Sequence, residues 1–90
     1  MSMDDQYREI DRFFKDLQSF NGQLRVSVSN LSQHHSAVDP LWKDEFRKEY
    51  DRIWHEFEDG MANYINREAP EYEEFLFQQL KWLRRYLHGR

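Results

Sequence analysis

The groups able to bind a metal or move a proton are four histidines and seventeen acids, so metal binding and acid–base catalysis are the first chemistries to test. His34 and His35 are adjacent, which aims them at different faces of a helix, and neither a His-x-x-x-His nor a Glu-x-x-His pair occurs. Asp51 and His55, four apart, could share a ligand, but one pair leaves a coordination shell half empty. Nucleophilic catalysis would need Ser or Cys beside a base. There is no Cys, the serines Ser27, Ser29, Ser32 and Ser36 cluster on the less apolar flank of one segment, and no G-x-S-x-G turn or phosphate-cradling glycine loop exists. The expectation is a protein with no catalytic residues, no cofactor and no metal: not an enzyme.

The remaining polar features read as parts of a scaffold. Glu45, Glu49, Asp51, Glu56, Glu58 and Asp59 alternate with Lys43, Arg47, Lys48 and Arg52, the pattern of a solvated, salt-bridged helix face. Cations and aromatics interleave at Lys81, Trp82, Arg84, Arg85, Tyr86 and Arg90, which reads as cations at a helix C-terminus with the aromatics in the core. The formal charge of −4 argues against nonspecific binding to nucleic acid or anionic membrane. No stretch is apolar enough to span a membrane, and the acidic start, Met1 to Gln6, lacks the features of a standard secretory leader. A cytoplasmic protein, or one secreted without a standard signal peptide, is expected.

What must position these residues is a single small domain, residues 1–90. Seven Phe, five Tyr and three Trp supply core-forming bulk, while three Gly and two Pro leave few turns. The class is all-α. Asp39-Pro40 and Ala69-Pro70 each suggest a helix start, because proline suits the first turn and disfavours helical geometry in the residue before it. Asp39 would cap the second helix, and Arg84, Arg85 and His88 before Gly89 would close the third.

The first segment has poor helix formers at Asn21-Gly22 and from Val26 to Asn30, but its periodicity is strong. Met3, Tyr7, Ile10, Phe14, Leu17, Asn21, Leu24, Val28, Leu31, His35 and Val38 recur by fours and threes as a coiled-coil seam. His35 on that seam reads as partly buried and bonded to a backbone carbonyl or water, and Asn21 as either a register-setting polar residue or an exposed one. The spacing predicts helices over about 4–36, 41–67 and 70–88 in a three-helix antiparallel bundle: a long hairpin plus a shorter C-terminal helix. The second helix, carrying Trp42 through Ile65, is apolar over more than one seam and should face two partners.

At about 1.5 Å per residue the third helix, roughly 28 Å long, cannot cover a first helix of roughly 50 Å. The hairpin tip around Leu31, Val38, Leu41, Trp42 and Phe46 should stay bare, and such patches usually meet a partner, most simply a second copy.

Trp42 two residues beyond Pro40, with Tyr50 and Phe57 eight and fifteen positions further on and Val38 before it, resembles the WXG100-like small helical-hairpin proteins over Leu31 to Tyr64. Trp42-Lys43-Asp44 is a W-x-D variant of that family's W-x-G turn. Asp44 can replace the glycine only if the backbone there is unstrained, which suggests an earlier and more regular start to the second helix. The resemblance implies two antiparallel helices that pair into four-helix dimers, with the third helix as an addition that could fill part of the partner's groove. It also implies association with a type VII-like secretion system, for which Tyr64-Ile65-Asn66-Arg67-Glu68 has the form of a Tyr-x-x-x-Asp/Glu export signal. Tyr7 to Asp11 fits that form as well.

The expected function is therefore a protein–protein interaction module, with a protein partner or itself as ligand. The alternative is a cytosolic adaptor or inhibitor that binds another macromolecule through the acidic face of the second helix.

Overall fold

The chain is all-helical: α1 (Met3–Val38), α2 (Arg47–Asn63), a π turn (Tyr64–Glu68) and α3 (Ala69–His88). The structure, a computed structural model, describes residues 2–88. Gly89, the expected helix stop, and Arg90 of the basic end lie outside the described residues. α2, the π turn and α3 follow one another without a break, with right-handed helical angles at Asn63, Tyr64 and Ala69. They form one rod antiparallel to α1. The result is a two-rod hairpin with extents of 66 × 20 × 17 Å, where three separate helices were expected.

The reason lies at Pro70. A proline inside a helix lacks its N–H, and its ring collides with the carbonyl four residues back. Here that carbonyl belongs to Asn66, inside the π turn, where the spacing is wider: the Ala69 N–H reaches back five residues to the Tyr64 carbonyl. The widened turn makes room for the ring, so Pro70 bulges the rod where it was expected to open a new helix.

Asp39-Pro40 does end a helix, but differently from the expectation. Asp39 stays right-handed helical (φ −49°, ψ −51°) and caps the C-terminus of α1, its N–H bonded to the His35 carbonyl. The second rod starts at Arg47, later than the expected residue 41, after a connection in which the N–H groups of Leu41 and Trp42 both return to the Val38 carbonyl.

α1 runs uninterrupted through Asn21 and Gly22. Its first turn is capped by Ser2, whose hydroxyl accepts the Asp5 N–H at 3.2 Å, and Asp4 and Asp5 place negative charge at the positive end of the helix. Cross-rod pairs fix the register: the Arg84 guanidinium donates to the Tyr7 hydroxyl at 2.8 Å, the Phe14 and Phe77 rings lie 6.4 Å apart, and His35 meets Tyr50 and Trp54. α3 thus covers the N-terminal half of α1, and α2 the rest. Past Val28 the inward positions are Ser32 and His35, so Leu31, expected on the seam, is exposed.

The buried apolar core among the described residues is Ala69, Leu80 and Leu83. Two rods can shelter only one stripe on each, and the second apolar flank of α2 finds no third helix to face.

Candidate functional site

At the tip, Asp44 does with its side chain what a glycine turn does with its backbone. Its carboxylate Oδ1 accepts the Trp42 indole N–H at 2.8 Å and the Phe46 N–H at 3.0 Å, while its carbonyl accepts the Arg47 N–H that opens α2. Among the described residues no non-glycine residue has positive φ, so the W-x-D turn is unstrained. Arg47 closes the tip from below. Its guanidinium donates to the carbonyls of Trp42 at 2.8 Å and Asp39 at 3.1 Å, pairs with the carboxylates of Asp39 and Asp51, and lies 6.0 Å from the Trp42 ring centroid. The bonds to Asp51 and then Asp39 hold its pKa above the ordinary value.

Beneath the turn runs a ladder of rings. Trp42 and Tyr50 lie 4.8 Å apart, Trp54 and Phe57 5.4 Å, and the His35 imidazole stacks on Trp54 at 4.2 Å with its Nδ1 2.8 Å from the Tyr50 hydroxyl. The partner of His35 is therefore a tyrosine side chain, in place of the expected carbonyl or water. Of the residues expected at an interface, Leu31, Val38, Leu41 and Phe46 are exposed, Leu41 at 84%, whereas Trp42 is half-buried.

The exposed apolar surface continues well beyond the tip. Phe13, Phe20, Leu31 and Val38 fall on one flank of α1, since positions eighteen residues apart are five whole turns apart. On the second rod Phe46, Ile53, Phe57, Tyr72, Phe75, Trp82 and Tyr86 are exposed. Tyr72, Phe75, Gln79, Trp82 and Tyr86 step by three and four as a second coiled-coil seam beside the buried one. The two flanks meet on one face, where Phe13, Leu17, Tyr64, Tyr72, Phe75 and Leu76 line an open groove of about 340 Å³. Trp82 and Tyr86, expected in the core, stack on each other at 5.6 Å and are more than half exposed. The sequence signal for this face was present in the width of the apolar stripes, which a third helix was wrongly expected to absorb.

The middle of the hairpin holds a polar layer. Asn21 is 2% exposed; its amide donates to Glu73 at 2.9 Å and its carbonyl accepts the Tyr64 hydroxyl at 2.7 Å. Tyr64 and Glu68, which have the form of an export signal, bound the π turn, and Glu68 accepts the Asn63 amide at 2.7 Å.

The acids of α2 are largely paired within the chain: Arg52 bonds both Glu49 and Glu56, and Asp51 holds Arg47. The bond from Arg52 lowers the Glu49 pKa. His55 faces Glu58 at 3.9 Å, while Asp51 bonds Arg47. Among the described residues no three His, Cys, Asp or Glu side chains gather as a metal site would need, and no helix is long and apolar enough to cross a membrane. No family model, curated protein or solved structure matches this chain.

Proposed function

We propose that this chain is a non-enzymatic association module: a helical hairpin whose apolar face, from the tip at Leu31, Val38, Leu41, Trp42 and Phe46 to the base at Tyr86, is completed by a partner protein. The observation that carries this reading is area. A compact monomer of 11.2 kDa should expose about 5,700 Å², whereas this chain exposes 7190 Å². The excess, about 1,500 Å² by that scaling, falls within what a large obligate interface removes from one partner.

A two-rod hairpin with a Trp-containing turn supports the WXG100-like reading better than the expected three-helix bundle would, because nothing among the described residues fills the partner's groove. Export through a type VII-like system is part of this proposal.

The alternative through the acidic face of α2 draws less support, since Glu49, Asp51 and Glu56 already bond arginines within the chain. The dilute chain should bind an apolar dye such as anilinonaphthalene sulfonate and release it as the complex forms. A chain that sediments as a monomer and still binds no dye has its face covered within the monomer, and the association reading fails.

A further inference from the structure

We propose that the flank of the hairpin turned away from the association face binds a medium-chain fatty acid, in a pocket between α1 and α3 lined by Tyr7, Phe14, Phe77, Leu80, Lys81 and Arg84. On α3, residues two apart point about 200° from each other, so Phe77 turns away from Phe75, and Arg84 from Trp82. The cations and aromatics that interleave in the sequence are thereby sorted. Lys81 and Arg84 stand over this pocket, while Trp82 and Tyr86 belong to the other flank.

The walls of the pocket are apolar. Phe14 and Phe77, with rings 6.4 Å apart, form one end, the 6% exposed Leu80 forms the floor, and the bonded pair of Tyr7 and Arg84 closes the other end. The volume is about 270 Å³, below that of a site for a drug-sized ligand. Tyr7 and Phe14 are seven residues apart on one rod, as Phe77 and Arg84 are on the other, so the pocket runs about 10 Å along the hairpin. A volume this small over that length leaves a slot one hydrocarbon chain wide. It suits an extended alkyl tail better than a compact ring system.

Charge selects the head group. Asp11, which also lines the pocket, is bonded to Lys15 at 2.9 Å. Among the described residues neither Lys81 nor Arg84 pairs with a carboxylate. Arg84 gives one N–H to the Tyr7 hydroxyl at 2.8 Å, which anchors the guanidinium and leaves the rest of its fork available. An ammonium and a guanidinium three residues apart on a helix are neighbours, and together they offer the donors that a carboxylate accepts. The slot below them removes the tail from water. A neutral chain would leave both cations unanswered, and an inorganic anion would leave the slot unfilled.

The test is a titration of sodium octanoate into the isotope-labelled chain, followed by amide chemical shifts. Shifts should cluster at Tyr7, Phe14, Phe77, Lys81 and Arg84, and octanol, which lacks the charge, should bind about tenfold more weakly. Lys81→Gln, at an exposed residue, should weaken octanoate about tenfold while leaving octanol binding and helicity unchanged. Phe77→Ala should weaken both ligands. Equal binding of octanoate and octanol would overturn the proposal, as would a Lys81→Gln variant that binds octanoate like the parent. Shifts that cluster at Phe13 and Phe75 would place the acid in the groove of the association face and overturn it too. A chain with no shifts at millimolar octanoate has no such site. Each of these failures leaves the association reading standing, because that reading rests on the opposite flank and is decided by sedimentation and dye release.

Discussion

Tyr64 donates its hydroxyl hydrogen across the hairpin to the Asn21 carbonyl oxygen at 2.7 Å, tying the π turn of the second rod to the middle of α1. Because Asn21 also donates to Glu73, both ends of a nearly fully buried amide are used. A layer of this kind fixes register, since sliding either rod by one turn would strand buried polar atoms.

Tyr64→Phe leaves the Asn21 oxygen buried without its donor. The expected cost is about 1–3 kcal/mol, read as a lower urea midpoint. Asn21→Leu should cost less, or even stabilise, while broadening the spectrum through loss of unique pairing. If Tyr64→Phe melts like the parent, the layer does not hold the rods together.

Asp44→Gly places a glycine two residues after Trp42 and removes the carboxylate that binds the Trp42 indole and the Phe46 N–H. Stability should fall by about 1 kcal/mol, the usual net worth of a hydrogen bond. Asp44→Asn, which keeps an acceptor, should recover most of it. Thermal melts of the three proteins decide the point, and a more stable glycine variant would show that the turn is strained after all.

Gly22 lies inside α1 with open space where a Cβ would go, and helical spacing sets it on the flank away from Phe13 and Phe20. Gly22→Ala should therefore raise stability by roughly 0.5–1 kcal/mol and leave association unchanged. A loss of association in this variant would move the interface to the opposite face.

Much of this architecture can be read in the chain itself. The coiled-coil stepping from Met3 to Val28 outweighs the weak formers between Asn21 and Asn30, because burial of one stripe decides helicity more than intrinsic propensity does. The exposure of Leu31, Val38, Leu41 and Phe46 also follows from the pattern, although its expected cause, a third helix too short to reach, does not exist. Pro70 was misleading because local propensity cannot foresee that a single wide turn will absorb the ring. The error then spread: with a third helix assumed, the apolar flank holding Phe75, Trp82 and Tyr86 looked like core. Asp44 shows the reverse case, where side-chain capping replaces the backbone freedom of a glycine and only the folded geometry reveals the substitution.

The central claim is that the hairpin's apolar face must be covered for the fold to be stable, and the most direct measurement is thermal melting of helicity over a range of about 1 to 100 µM protein. Mass action predicts a midpoint that climbs with concentration if the cover is a second copy, or a poorly stable dilute chain if it is another protein. A fully helical monomer whose high melting midpoint does not move across that range would contradict the account.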